Sequence, residues 1–200
     1  REGAQMVVVV SPSPFDGKTT IVAHLGLALV ETERNVLLVD GDMRNPRLHE
    51  VLDLPNTWGL SNLLTERTSL RGATRQMLAR ETSIPRLHVL PSGPGVDNIS
   101  RLLRGRRLEQ LAHSLHEQFD VILVDTPAAL SFSDYRALGR VSDGAVLVVN
   151  ARRTAAADAL EVVERLNGDG ISILGGLLNS WDPRRRGHAY GYPYYAHSSH

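Results

Sequence analysis

One stretch of the sequence, Met6 to Thr20 (MVVVVSPSPFDGKTT), limits the fold more than any other. Its four consecutive valines are typical of a strand that is covered on both faces, as in a parallel sheet. Two prolines, a glycine and small polar residues then require a turn between Ser11 and Gly17. From Lys18 onward apolar residues recur at helical spacing, so we expect a helix to about Glu33. This order predicts a phosphate-binding loop, because the first turn of a helix offers free N–H groups and a positive dipole end.

The end of this loop, Gly17-Lys18-Thr19, matches the last part of the motif G-x-x-x-x-G-K-[ST], although Pro12 stands where that motif has its first glycine. We expect Lys18 to reach the terminal phosphates of a nucleotide and the Thr19 hydroxyl to bind Mg²⁺. Lys18 is the only lysine in the sequence, which indicates a requirement for a compact ammonium group. A turn and helix without a ligand is the alternative. The predicted nucleotide-binding residues of the loop are Ser13, Phe15, Asp16, Gly17, Lys18, Thr19 and Thr20.

Carboxylates follow two further predicted strands. The segment NVLLV is followed by Asp40 and, two residues on, by Asp42, and the segment VILV is followed by Asp125. The carboxyl ends of strands in an open α/β sheet form the edge where ligands bind. We therefore expect the three carboxylates near the phosphate loop, where they suit Mg²⁺-bound water or acceptance of a proton from a hydroxyl. For Asp40 and Asp42, a helix-capping or turn role is the alternative.

Strand and helix patterns alternate along the rest of the sequence. Strands are predicted at 35–39, 87–90, 121–125, 145–149 and 171–178, and helices at 69–80, 98–118, 134–140 and 155–166. The helix at 69–80 is expected on the surface, and the one at 98–118 is expected to be interrupted near Gly105. This alternation predicts an α/β fold, a doubly wound, mainly parallel sheet with helices on both faces.

The composition excludes several classes of function. The formal net charge is zero, and the arginines near residue 104 lack the interleaved aromatic residues of a nucleic-acid surface, so no nucleic-acid partner is expected. The absence of cysteine excludes disulfides and thiolate metal sites and fits a reducing, cytoplasmic setting. No apolar run approaches the roughly 20 residues that cross a bilayer. Because the sequence opens at Arg1 only five residues before a core strand, we expect an excised domain whose parent chain leaves membrane attachment open.

The sequence changes character at Asp182, beyond which it has no apolar periodicity. We predict a globular domain over 1–181 and a flexible tail over 182–200. Aromatic residues in such a tail are not needed for a core, so they are either contact residues or chemical acceptors. Phosphorylation of these phenols would add negative charge beside three consecutive arginines. Four of the five tyrosines in the sequence lie in the tail: Tyr190, Tyr192, Tyr194 and Tyr195.

Several of these segments together resemble one known family. They are SPSPFDGKTT, NVLLVDGDMRNPRLH, LPSGP, FDVILVDTP, DGAVLVV and the closing tyrosine cluster. The sequence from about Met6 to Tyr195 resembles the catalytic domain of the bacterial tyrosine kinases (BY-kinases) that control capsular and exopolysaccharide synthesis. The resemblance implies a P-loop NTPase fold of the deviant Walker type. It also implies an ATP-dependent autokinase that phosphorylates the tail tyrosines.

The resemblance implies roles for individual residues. Lys18 would bind the ATP phosphates, and together with Asp40 and Asp42 it forms the candidate catalytic set. Asp42 is the preferred acceptor for the proton of the incoming tyrosine hydroxyl, and Asn179, just past the last strand, is expected to contact adenine. The candidate metal ligands are Thr19, Asp40, Asp42 and Asp125. One departure from the family lies in the loop itself, where Phe15 and Asp16 replace glycine-rich residues.

The resemblance further implies partners. Such kinases form homo-oligomeric rings in which the tail of one copy enters the site of the next, and many require a membrane activator segment, fused or separate. A position at the inner face of the plasma membrane and contact with the polysaccharide synthesis machinery are therefore expected. The helix with an E-x-x-R-x-x-R pattern that precedes the first strand in the family is absent from this sequence.

Two other functions remain open at this point. A partitioning or site-placement ATPase of the MinD/ParA type shares the phosphate loop and the strand-end carboxylates, and it would hydrolyse ATP without modifying the tail. A nucleotide-binding assembly module would bind ATP without any turnover.

Overall fold

Seven strands form a single sheet in the computed structural model, which describes residues 5–66 and 69–182. The strands are β1 (Met6–Val10), β2 (Val36–Asp40), β3 (Arg80–Glu81), β4 (Leu87–Leu90), β5 (Val121–Asp125), β6 (Gly144–Asn150) and β7 (Ile173–Asn179). The helices are α1 (Lys18–Val30), α2 (Leu48–Val51), α3 (Leu60–Thr65), α4 (Arg75–Leu78), α5 (Ile99–Leu103), α6 (Arg106–Gln118), α7 (Asp134–Arg140) and α8 (Ala156–Gly168).

The order of the strands across the sheet is β3-β4-β2-β5-β1-β6-β7, and every neighbouring pair is parallel except β3 with β4. The predicted fold class, a doubly wound and mainly parallel sheet, is therefore confirmed. The order in which strands are added to the sheet changes direction at β1, since β5 lies on one side of it and β6 on the other. Open α/β sheets bind ligands at such a point, outside the carboxyl ends of their strands. The loop after β1 lies at this place.

The valines of β1 explain why this strand is central. Val8 and Val10 belong to the apolar core on one face of the sheet, and Val7 and Val9 belong to the core on the other face. Alternate residues of a strand point to opposite faces, so a strand covered by helices on both sides needs apolar residues at every position. All five residues of β1 are accordingly buried.

The segment predicted as a surface helix over 69–80 differs from that prediction. Only Arg75–Leu78 is helical, and Arg80–Glu81 forms the short antiparallel edge strand β3. Leu70 and Leu78 are buried in the core. Gly72, with a φ of +74°, interrupts the segment in the left-handed region that glycine adopts most readily. The predicted interruption near Gly105 is confirmed, because α5 ends at Leu103 and α6 begins at Arg106.

Within residues 5–66 and 69–182, no helix combines the length and the apolar composition that crossing a bilayer requires. The tail tyrosines Tyr190, Tyr192, Tyr194 and Tyr195 lie outside the described residues.

Candidate nucleotide-binding and phosphoryl-transfer site

The loop between β1 and α1 is held in shape by the side chain of Asp16. This carboxylate is 1% exposed. It accepts a hydrogen bond from the Ser13 N–H at 2.8 Å and another from the Thr154 hydroxyl at 2.9 Å. Phe15 has a φ of +65°, in the left-handed region, and Gly17 has a φ of +99°. The Ser13 amide, predicted to bind phosphate, is therefore bonded within the loop, and Asp16 contributes its side chain to the shape of the loop.

Gly17 permits a close contact between the loop and the end of β7. A Cβ atom at Gly17 would lie 2.1 Å from Nδ2 of Asn179, which is far closer than any real contact. This amide nitrogen donates a hydrogen bond to the Asp16 carbonyl at 2.9 Å. Asn179 thus lies at the phosphate loop, as its position after the last strand led us to expect, and its contact with adenine stays a prediction.

Lys18 and Thr19 begin α1 directly after the loop. The Lys18 ammonium is buried and donates a hydrogen bond to the Ser11 hydroxyl at 2.9 Å. Burial lowers the pKa of Lys18, and the nearby carboxylates of Asp125 and Asp42 act against this shift. The Thr19 hydroxyl donates a hydrogen bond to Oδ2 of Asp125 at 2.5 Å. The ammonium, the hydroxyl and the carboxylate that the motifs predicted are therefore close together at one edge of the sheet.

Asp40 and Asp125 are neighbours because β2 and β5 are paired in register, with Asp40 opposite Asp125. Both carboxylates are at most 1% exposed. Burial, followed by the charge of Asp125, raises the pKa of Asp40 to about 8. Burial also raises the pKa of Asp125 to about 6, against the hydrogen bond from Thr19. Two carboxylates in so dry a place favour the uptake of a proton or a cation.

Asp40 and Asp42 have different surroundings although they are two residues apart. Oδ2 of Asp40 accepts the N–H groups of Arg47 and Leu48 at the start of α2, a helix-capping role that was the alternative at the sequence level. Oδ1 of Asp42 accepts the N–H groups of Arg44 and Asn45 in a turn. Asp42 nevertheless lines the open cleft beside the phosphate loop, whereas Asp40 does not. Burial raises the pKa of Asp42.

Two of the carboxylates predicted to hold Mg²⁺ each have a buried oxygen without a hydrogen-bond partner in the described part of the chain. Among the described residues, no donor reaches Oδ1 of Asp125 or Oδ1 of Asp40. No group of three or more His, Asp or Glu side chains in those same ranges is arranged to hold a metal on its own. The possible metal ligands at this edge, the Thr19 hydroxyl and the Asp125 carboxylate, instead fit a hydrated Mg²⁺ whose other ligands come from phosphate and water.

The cleft at this edge has a volume of about 330 Å³. Its lining combines the cations Lys18, Arg44 and Arg47 with the hydroxyls of Thr19 and Thr20. It also contains the carboxylate of Asp42 and the apolar side chains of Pro14, Phe15, Val51, Pro127, Ala128 and Phe132. A volume of this order and this mixture of charge suit a phosphate group together with part of a second substrate.

Sequence reasoning missed a polar cluster at the wall of this cleft. The Arg44 guanidinium donates to both oxygens of Asp134, from Nε at 2.5 Å and from Nη2 at 3.2 Å. Ser100 joins them, with its hydroxyl 2.9 Å from Oδ1 of Asp134. The hydrogen bond from Arg44 to buried Asp134 raises the pKa of Arg44. The one available signal was the arginine of the segment DGDMR; nothing local marks Asp134, which lies at the start of α7.

The raised pKa of Asp40 predicts a pH dependence of stability. Because the pKa in the folded protein lies near 8, above the ordinary 3.8, the folded protein keeps a proton that the unfolded chain has already lost between these values. The free energy of unfolding should therefore fall as the pH rises through this window, by at most about 1.4 kcal/mol per pH unit. The Asp40→Asn side chain has no proton to lose in this range. Its free energy of unfolding should therefore rise relative to that of the native protein as the pH increases from 5 to 8.

Urea denaturation of the nucleotide-free protein and the variant at each pH measures this difference. Asp158→Asn, the same change on helix α8, is the control. Its free energy of unfolding should change with pH as that of the native protein does. A difference between Asp40→Asn and the native protein that stays constant with pH would contradict the assignment.

Comparison with known proteins agrees with the geometry. A family model described as an AAA domain matches residues 15–167. The tyrosine-protein kinase YwqD of Bacillus subtilis is 32% identical over 173 residues, which cover 86% of this chain and 71% of the relative. The tyrosine-protein kinase wzc of Salmonella typhimurium is 30% identical over 195 residues, and the chain spans only 26% of its length.

Solved structures give the same result. The kinase domain of the Escherichia coli tyrosine kinase ETK matches with a TM-score of 0.81 and 26% identity, over 95% of this chain and 72% of that one. The septum site-determining protein MinD of Pyrococcus horikoshii, complexed with Mg-ADP, matches with a TM-score of 0.70 and 29% identity, over 87% and 69%. The P-loop NTPase fold is common to both, whereas the named sequence relatives are kinases. The chain therefore belongs to the bacterial tyrosine-protein kinases, within the AAA domain family.

Proposed function

We propose that this chain is an ATP-dependent protein-tyrosine autokinase that phosphorylates the tyrosines of its own tail. The observation that carries the proposal is the convergence of Lys18, Thr19 and Asp42 on one cleft at the carboxyl edge of the sheet. Membership of the tyrosine-protein kinases supports the same reaction. Phosphoryl transfer requires little beyond positioning and the stabilisation of charge, and one ammonium with a suitably placed carboxylate supplies both.

The reaction assigns a separate task to each group. The loop amides and the Lys18 ammonium bind the phosphates of ATP and stabilise the charge of the transferred group. Asp42 accepts the proton of the tyrosine hydroxyl. The phenolic oxygen then forms a bond to the γ-phosphorus, the bond from that phosphorus to the bridging oxygen breaks, and ADP leaves. The products are phosphotyrosine and ADP.

The choice of Asp42 over Asp40 as the base follows from access. Asp42 lines the cleft, whereas Asp40 is fully buried and one of its oxygens is bonded to two backbone amides. A base must come within hydrogen-bond reach of the proton that it removes. Asp40 instead lies opposite Asp125 in the pairing of β2 with β5, where burial and the charge of Asp125 raise its own pKa.

Thr19 and Asp125 would hold Mg²⁺, which when bound neutralises charge on the phosphates. Their part is to present a hydroxyl and a carboxylate at the start of α1 and the end of β5. Oδ2 of Asp125 accepts the Thr19 hydroxyl, and Oδ1, to which no described residue donates, would be the oxygen that supports the hydrated ion. Asp40 and Asp42 complete the predicted cluster from the neighbouring strand end.

We further propose that the chain acts as a homo-oligomeric ring with tail phosphorylation between copies. A membrane activator, fused or separate, would hold it at the inner face of the plasma membrane, in the service of capsular or exopolysaccharide synthesis. The relatives named as kinases and the much greater length of wzc support this arrangement. Phosphorylation with and without a candidate activator, at a range of protein concentrations, tests both requirements.

The proposed activity predicts a specific pattern of modification. Incubation with ATP and Mg²⁺ should add phosphate to Tyr190, Tyr192, Tyr194 and Tyr195, detected by mass spectrometry of tryptic peptides. Tyr135 is a matched control within the same chain, because it is fully buried and should stay unmodified. ATP hydrolysis without tail phosphate in an assembled sample would favour the MinD type of ATPase. ATP binding without any turnover would favour an assembly module.

A further inference from the structure

Two of the three phenylalanines in the sequence lie at the mouth of the cleft. Phe119 is 2% exposed, in the core, whereas Phe15 is 66% exposed and Phe132 is 41% exposed. Both of the exposed rings line the cleft that holds Lys18 and Thr19, and Val51, 51% exposed, lines it as well. We call Phe15, Val51 and Phe132 the apolar rim. The rim is a group of exposed apolar side chains beside the charged residues that line the same cleft.

Neither ring is explained by packing in the core. Phe15 occupies a backbone conformation with positive φ that glycine adopts freely and that strains a bulky side chain. Apolar side chains left in water also forgo the gain from burial. Strain and exposure at one position indicate a side chain that is needed for contact with another molecule.

Phe132 is tied to Asp42 through Arg44. The Arg44 guanidinium lies over the Phe132 ring, 4.3 Å from its centroid. Its own orientation is fixed by the two hydrogen bonds to Asp134 and by one to Ser100 at 3.1 Å. The backbone N–H of Arg44 is bonded to the Asp42 carboxylate at 3.3 Å. One residue therefore connects the aromatic rim to the proposed base.

We propose that the apolar rim binds the aromatic ring of the acceptor tyrosine while its hydroxyl extends to Asp42, so that Phe132 contributes to the selection of tyrosine over serine and threonine. This inference rests on the proposed autokinase function. The rim and the Asp42 carboxylate line the same cleft, so a tyrosine can place its ring against apolar and aromatic surface while its hydroxyl points toward Asp42. A serine has no ring with which to cover the rim.

The occupant follows from the sequence of this chain and from the position of the rim. Four tyrosines, from Tyr190 to Tyr195, stand within the last residues of the sequence, so a second copy carries the required side chain. An adenine ring is a poorer fit for Phe132. Asn179, the residue expected at adenine, bonds to the Asp16 carbonyl on the loop, whereas Phe132 stacks on Arg44 beside Asp42.

Binding of a synthetic peptide with the sequence 182–200 tests the inference without any turnover. We expect Phe132→Ala to weaken peptide binding about tenfold in the presence of a non-hydrolysable ATP analogue, measured by fluorescence anisotropy. Affinity for the analogue itself should stay within twofold of the native value. Leu160→Ala, which removes an apolar side chain of α8 that is 62% exposed, is the control outside the cleft and should bind the peptide normally.

Peptide variants identify the group that the rim binds. Replacing the peptide tyrosines by phenylalanine should preserve binding, because the ring remains, and replacing them by serine should weaken it about as much as Phe132→Ala does. Loss of analogue affinity with normal peptide affinity would overturn the inference and assign the rim to the nucleotide. Equal binding of tyrosine and serine peptides would overturn it as well. If the native protein binds the peptide but never phosphorylates it, the proposed function would be refuted. The binding of the tyrosine ring by the rim would still hold.

Discussion

Replacing Lys18 by methionine is expected to abolish phosphorylation of the tail tyrosines while the fold stays intact. The ammonium is the only lysine charge in the chain, and it is buried beside Ser11 at the start of α1. Removing a preorganised positive group from the path of the transferred phosphoryl costs a factor of about 100 to 1000 or more. Methionine keeps the length and the apolar stem of lysine, so the packing around α1 should survive.

Stability gives the structural control for Lys18→Met. Because burial lowers the pKa of Lys18, its charge is unfavourable in the nucleotide-free fold, and its removal should not reduce the melting temperature. Phosphorylation is measured by mass spectrometry, and the fold by circular dichroism and thermal unfolding. Lys18→Arg keeps the charge but replaces a compact ammonium by a larger planar group, so it should also lose most activity. Retained phosphorylation in Lys18→Met with a native spectrum would refute the assignment.

Asp42→Asn is expected to reduce phosphoryl transfer by a factor of about 100 to 10000, which is the usual contribution of a general base. Asparagine keeps an oxygen for the N–H groups of Arg44 and Asn45, so the turn after β2 should be preserved. ATP affinity should therefore change little, and the loss should appear in the rate at saturating ATP. Because burial raises the pKa of Asp42, activity of the native protein should fall on acidification already above the ordinary range of a carboxyl group.

Two other aspartates make the Asp42 experiment decisive. Asp40→Asn removes a fully buried carboxylate that does not line the cleft, so its rate should fall less than that of Asp42→Asn. Asp158→Asn, on the outer helix α8, should leave the rate unchanged. A larger loss in Asp40→Asn than in Asp42→Asn would exchange their roles, and full activity in Asp42→Asn would remove the base from the mechanism.

The meeting of the strand-end carboxylates was predictable from the sequence. Asp40 and Asp125 each end an apolar run, and parallel strands end at the same edge of a sheet, so their pairing in register needs no further information. Their division of labour was not predictable. The chain turns immediately after Asp40, where the Gly41 N–H bonds to the Asp125 carbonyl at 2.9 Å, and this turn sends Asp42 into the cleft.

Other features depend on contacts that leave no local pattern. Arg44 and Asp134 are ninety positions apart in the sequence, and neither shows from its neighbours that it will pair with the other. The prediction of a surface helix over 69–80 was wrong for a related reason. The arginines of this stretch indicated an exposed segment, whereas Leu70 and Leu78 pack into the core. Periodicity reports which face of an element is apolar, and it fails where an element is only one turn long.

The central position of β1 has a consequence for synthesis. Met6 is paired with Ile122 on one side, and Val7 with Gly144 on the other, so neither neighbour of β1 exists until most of the domain has been translated. Such distant partners make loop closure costly and assembly slow. Within this domain the phosphate loop is translated before both strands that flank β1, so it acquires its final surroundings late, and a nascent chain stopped before β6 should have no working nucleotide pocket.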